Sequence, residues 1–239
     1  GTALAQLREL APELVVVAAY GRILPDDILA LPPMGCINVH SSLLPKYRGA
    51  APINWAVIRG EKETGVTIMY MAGELDAGDI IAQETTHIDP EETVENVHDR
   101  LADLGGRLLV QTVAELAAGT ARRIPQDHSQ ATLAPMLSRE LSPIDWSRSG
   151  WDIHNQIRGL VPWPATSTDI FSAEPVKVFK STLLDQGTDK QPGTVVAAGK
   201  EGIDVACGDG RLLRILELQA PGGKRMSAAS YLAGHPIHL

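Results

Sequence analysis

Cysteine is scarce. Only Cys36 and Cys207 occur in 239 residues, and they stand far apart. That excludes a disulfide framework and any cysteine-based zinc spacing, and it fits a reducing cytoplasm. Cys36 borders an apolar run and reads as a small buried hydrophobe rather than a nucleophile. Apart from His40, the histidines (His87, His98, His128, His154, His235, His238) show no ligand spacing, so no metal site is expected. No run approaches the roughly 18 apolar residues that a membrane span needs. The opening Gly1-Thr2-Ala3-Leu4-Ala5 lacks a basic segment followed by an apolar one, so no secretory signal is read. No internal repeat or low-complexity segment occurs. No strand precedes the first helix either. A Rossmann-like sheet usually opens with a strand and a glycine turn, so a first βαβ portion is expected to be missing.

What is present is a soluble globular balance, with 44% apolar and 21% charged residues. The net charge of −8 is unevenly spread. Residues 1–137 hold 10 Lys and Arg against 18 Asp and Glu, whereas residues 138–239 hold 11 of each. A polyanionic partner is repelled by the first part and tolerated by the second.

Leu4, Leu7 and Leu10 lie at helical spacing, stopped by Pro12. Leu14 to Ala19 is a continuous apolar run typical of a strand covered on both faces. A loop, Tyr20 to Pro25, leads to a short helical turn over Asp26 to Leu31, and Met34 to Val39 reads as a buried strand. This alternation implies parallel strands in a doubly wound sheet. A helix over Ile53 to Ile58 and strands over Gly65–Met71 and Ile80–Ile88 follow. Thr93-x-x-Asn96 opens the longest helical pattern, which ends at Gly119, and the Gly105-Gly106 pair inside it is expected to weaken or bend it. Residues 121–137 are polar, proline-bearing and without periodicity, so they read as a linker between a domain over 1–120 and another over 138–239. A helix near Gly150 to Arg158 precedes the Pro162-Trp163-Pro164 break. Five short strands then follow, between Ala165 and Leu218, and suggest a small OB-like β-barrel. The four tryptophans read as packing residues.

Asn38 and His40 share parity on an extended chain, so both side chains leave one face near that strand's carboxyl end. Histidine changes its proton state near pH 7. An asparagine amide can donate to a developing oxyanion. A carboxylate such as Asp76 can orient the imidazole. No nucleophile elbow accompanies them, so the set suits acyl transfer between two bound substrates through a tetrahedral intermediate. On residue types alone, a satisfied turn at Asn38-x-His40 and a turn aspartate at Asp76 stand beside that reading.

Asn38-Val39-His40-Ser41-Ser42-Leu43-Leu44-Pro45-Lys46-Tyr47-Arg48-Gly49-Ala50-Ala51-Pro52 resembles the signature of folate-dependent formyltransferases. Leu75-Asp76-Ala77-Gly78-Asp79 is similar to that family's second motif. Arg158-Gly159-Leu160-x-Pro162-Trp163-Pro164 and Gly222-Gly223-Lys224-Arg225-Met226-Ser227 resemble the branch acting on initiator tRNA. The family begins with a further amino-terminal portion, including a loop that helps hold the tRNA acceptor end.

The resemblance implies a Rossmann-like, mostly parallel α/β sheet followed by the OB-like domain. It implies formyl transfer from 10-formyltetrahydrofolate to the amino group of methionyl-initiator tRNA. His40 would be general base and acid, Asn38 would stabilise the oxyanion, and Asp76 would position the imidazole. Ser42, Leu43, Leu44 and Pro45 would line the folate site. The pteridine would lie against the loops holding Gly21, Leu24 and Asp79. Arg48, Arg211, Arg214, Lys224 and Arg225 would contact tRNA. A cytoplasmic monomer without metal is expected. Two alternatives remain, a formyltransferase for an amino sugar nucleotide and an inactive RNA-binding relative. The Gly-Gly-Lys-Arg-Met-Ser ending disfavours the first, and intact Asn38, His40 and Asp76 disfavour the second.

Overall fold

The computed structural model describes residues 2–239. The chain divides into two compact units. The first comprises the residues up to Ile53, Lys62–Ile88 and Val97–Met136. It starts with α1 (Thr2–Leu10), β1 (Val15–Ala18), α2 (Asp26–Leu29) and β2 (Cys36–His40). Then come β3 (Arg48–Gly49), α3 (Pro52–Ile58), β4 (Glu63–Tyr70), β5 (Ile80–His87), α4 (Val94–Ala118) and β6 (Leu133–Ala134), with α3 and α4 each running across a boundary between units.

The main sheet has the order β1-β2-β4-β5. It is α/β as expected, but it is mixed rather than mostly parallel. β1 and β2 are parallel, whereas β2–β4 and β4–β5 are antiparallel. The rule that helix–strand alternation gives parallel strands holds only as far as β2, because β4 follows α3 and still lies antiparallel to β2. The short 71–79 loop cannot make the long crossover a parallel β4–β5 pair requires, so β5 returns antiparallel. Ile37, Val66, Ile68, Val97 and Leu101 are fully or almost fully buried in this unit.

α4 runs unbroken through Gly105-Gly106. Val97, Leu101, Leu104 and Leu108 form its buried stripe. Gly105 lies on that stripe, where a Cβ would sit 3.2 Å from Val39 Cγ1, so the missing side chain lets the helix close on the sheet. Thr93 and Asn96 cap its start as the motif suggested, the Asn96 side chain accepting from the Thr93 backbone N–H at 3.1 Å.

Residues 121–137 are more than a linker. Ile124 bridges Ile80, and β6 pairs with β3 in parallel, Arg48 opposite Leu133 and Gly49 opposite Ala134. No periodicity announced this, because two-residue strands have none to show.

The second unit comprises Asn54–Glu61, Asp89–Asn96 and Leu137–Leu239. It holds α5 (Gly150–Gly159), β7 (Thr166–Thr168), β8 (Val176–Gly187), β9 (Val195–Gly199), β10 (Gly202–Ala206), β11 (Arg211–Gln219), β12 (Met226–Ser227) and α6 (Ala228–Gly234). The antiparallel sheet runs β7-β8-β11-β10-β9, with β12 on β11. A closed barrel gives every strand two neighbours. Among the described residues β9 pairs only with β10, and β7 pairs with β8 and bridges Pro143 through Ser167, so the strands of the expected OB-like barrel form no closed ring. Its core includes Ile153, Ile157, Val178, Ile203, Leu213 and Ile215. Buried Arg158 ties the 89–96 segment in, donating to the Asp89 and Glu92 carbonyls at 3.1 and 3.0 Å.

Candidate active site

β2 places Asn38 opposite Met69 and His40 opposite Thr67 of β4. His40 is 6% exposed. Its Nε2 lies 2.9 Å from the Tyr47 carbonyl. A carbonyl only accepts, so Nε2 carries the proton and the neutral ring presents its lone pair at Nδ1. Nδ1 faces Asp76 Oδ2 at 3.7 Å, beyond hydrogen-bond length and within range for charge stabilisation of an imidazolium. The same carboxylate oxygen accepts from the Gly49 N–H at 2.8 Å. The carboxyl end of β2, the loop after β4 and the loop after β2 thus bring together the imidazole and carboxylate that the sequence held apart. Asn38 is half-buried on the same strand, two residues before His40. Among the described residues its amide has no hydrogen-bond partner, which leaves both its N–H donors available for a ligand.

Ser42 to Pro45 form a tightly tied loop. Buried Thr67 donates to the Ser42 carbonyl (2.6 Å) and accepts from the Leu44 N–H (3.1 Å). Gln83 donates to the Leu44 carbonyl, and the Ser42 hydroxyl to the Lys46 carbonyl. Leu44 packs with Met69 and Ile80. These polar groups hold the loop rather than face outward. On the other expected folate loops, Leu24 is almost buried while Tyr20, Ile23 and Leu75 are exposed. Gly21 has open space around it. Asp79 accepts from Arg123 Nε at 2.8 Å, and that guanidinium lies 4.2 Å above the Tyr70 ring.

Three of the expected tRNA contacts are already ion-paired: Arg211 with Asp209, Arg214 with Asp204 and Arg225 with Glu217. Exposed Lys224 has no such partner among the described residues. Arg48 turns to Gln126 Oε1, at 3.2 Å from Nε and 2.7 Å from Nη2, and donates to His128 Nδ1 at 3.0 Å. Sequence reasoning missed Gln126, Thr132 and Thr67, since single polar residues in a polar segment or a strand carry no local signal. Burial pushes both thiols up, Cys207 to about 12, so neither is an activated nucleophile. Among the described residues no group of three His, Cys, Asp or Glu could hold a metal, and no helix is long and apolar enough to cross a membrane.

An amide donor, an imidazole with a fixed tautomer and a carboxylate beside it are groups that acyl transfer can use. Residues 2–113 match the formyl transferase family, and residues 136–236 match the formyl transferase C-terminal domain. The chain belongs to the formyl transferase family. Among its curated relatives, the methionyl-tRNA formyltransferase of Trichlorobacter lovleyi is 50% identical over 98% of this chain and 73% of its own length. That of Moorella thermoacetica is 52% identical over 98% of this chain and 75% of its own. The crystal structure of HypX from Aquifex aeolicus in complex with tetrahydrofolic acid shares the fold, with a TM-score of 0.73 at 19% identity, covering 98% of this chain and 40% of that one.

Proposed function

We propose that the protein transfers the formyl group of 10-formyltetrahydrofolate to the α-amino group of methionyl-initiator tRNA. The observation that carries this reading is the His40 ring. Its Nε2–H is committed to the Tyr47 carbonyl, so Nδ1 alone can take a proton, in front of Asp76. The amine nitrogen bonds to the formyl carbon, and the carbonyl electrons move to oxygen. Asn38 donates to that oxyanion. His40 Nδ1 accepts the proton shed by the attacking nitrogen, and Asp76 stabilises the resulting imidazolium. When the oxyanion collapses, the bond to the folate nitrogen breaks and His40 returns the proton to that nitrogen, so the balance closes.

The exposed Tyr20, Ile23 and Leu75 offer apolar cover for a flat pteridine beside Gly21, Leu24 and Asp79. Leu43 gives a wall, and Ser42, Leu44 and Pro45 hold it in place. Lys224 is the readiest phosphate contact of the second unit. Arg211, Arg214 and Arg225 join it by exchanging carboxylate for phosphate. In this reading the protein works in the cytoplasm as a monomer.

The test incubates the full-length protein and 10-formyltetrahydrofolate with methionyl-initiator tRNA or with a nucleotide-linked amino sugar. Formylmethionyl-tRNA alone is expected. Formyl sugar alone, or neither product, overturns the reading.

A further inference from the structure

We infer that Gln126 is a positioning residue that holds Asp76 at its working distance from His40. The inference rests on the catalytic roles proposed above and deepens them. Gln126 falls between the stretches matched to the family, 2–113 and 136–236. It is 6% exposed, and every hydrogen-bonding capacity of its amide is spent. Nε2 donates to the Asp76 carbonyl and the Gly78 carbonyl, both at 2.8 Å. Oε1 accepts twice from Arg48. Arg48 precedes Gly49, whose N–H holds the Asp76 carboxylate. One side chain therefore ties the backbone of the acidic loop to the strand that grips its carboxylate.

The acidic loop needs such a tie. Asp76 sits at φ +48, a left-handed conformation that aspartate tolerates better than most residues but that still costs more than the right-handed one. Two carbonyls pinned on either side of Ala77 keep it there. The segment bearing Gln126 is itself anchored to the loop after β2. Thr132 Oγ1 accepts from the Tyr47 N–H at 2.9 Å, and the Thr132 carbonyl accepts from the Arg48 N–H at 2.9 Å. Tyr47 supplies the carbonyl that sets the His40 tautomer. Both partners of the imidazole thus hang from residues 126–134.

The experiment is a double-mutant cycle in the full-length protein, with Gln126→Met, Asp76→Asn and the pair. Gln126→Met removes both donors at similar volume. It is expected to lower kcat about 10- to 100-fold with KM for either substrate changed less than about threefold. In the Asp76→Asn background it is expected to cost less than about twofold, because its effect passes through Asp76. Gln126→Glu keeps the acceptor for Arg48 and loses the donors, so it is expected to be slow while melting within a few degrees of the parent. Equal cost in both Asp76 backgrounds, or activity loss that merely tracks the unfolded fraction of both variants, overturns the inference. So does a fast Gln126→Met beside a slow Asp76→Asn. If Asp76→Asn is itself as fast as the parent, the proposed role of Asp76 fails, and the inference falls with it.

Discussion

A single methyl group at Gly78 should separate site geometry from general stability. A Cβ there would overlap the Tyr70 carbonyl oxygen and lie 2.8 Å from its carbon. Carbon atoms pack at about 3.5–4.0 Å, so the two backbones must part by roughly 1 Å. Tyr70 is held by its N–H to the Asp79 carbonyl, 2.9 Å, and β4 lies between two paired strands. The acidic loop is the side that must yield. Asp76, two residues away, then leaves hydrogen-bond range of Gly49 and retreats from His40. A displacement of about 1 Å costs on the order of 10²-fold in rate, or about 2.7 kcal/mol. Overpacking adds about 1–3 kcal/mol of instability, which for a chain of this size lowers Tm by about 2–12 °C. Gly106→Ala is the control, since its methyl meets nothing within 4 Å on an exposed helix face. It should stabilise by about 0.5–1 kcal/mol and leave kcat alone. Steady-state formylation and thermal melts of both variants decide. A Gly78→Ala protein with kcat within about twofold of the parent refutes the reasoning.

Three further outcomes are expected. Asn38→Ala should lose about 10²–10³ in kcat with folding intact, as removal of one oxyanion donor does; single-turnover rates check this, and a loss confined to KM contradicts it. Thr67→Val leaves the Ser42 carbonyl and the Leu44 N–H without their partner, so denaturant unfolding should show a loss of about 1–3 kcal/mol, and an unchanged midpoint contradicts that. Burial holds His154 below its usual pKa, against the weaker upward pull of the Pro90 carbonyl and Glu91. The unfolded ring binds a proton near pH 6.5 and the buried one resists, so stability is complete above that pH and declines as pH falls below it. Urea midpoints at pH 7.5 and pH 5 should differ more for the parent than for His154→Gln, and an identical difference contradicts the assignment.

The site was legible in part. An apolar run ending in Asn-x-His showed β2, its buried face and the two residues that share parity, because a strand's period of two is written locally. Chemistry alone could group Asp76 with them but could not choose between that role and a turn aspartate, which looks the same whether it faces water or an imidazole; the resemblance favoured the first. Gln126 stayed invisible for a related reason. Its partners, Arg48, Asp76 and Gly78, are dozens of residues away, and a glutamine in a polar stretch advertises nothing. The strand directions were misjudged because β4 runs antiparallel to β2 although α3 lies between them, and β5 follows β4 with no helix at all. In α4 the glycine pair looked like a flaw, yet a Cβ at Gly105 would crowd Val39 and Val66. A propensity argument sees the missing side chain and not the neighbour that fills its space.

The most direct test removes the His40 imidazole and times the chemical step. With 10-formyltetrahydrofolate and methionyl-initiator tRNA both saturating, His40→Ala should keep its melting transition and its affinity for both substrates. Its single-turnover formyl transfer should fall by about 10²–10⁴-fold, the usual worth of a positioned general base. Transfer at close to the parent rate would contradict the account, because no other group at this site then needs His40 to move the proton.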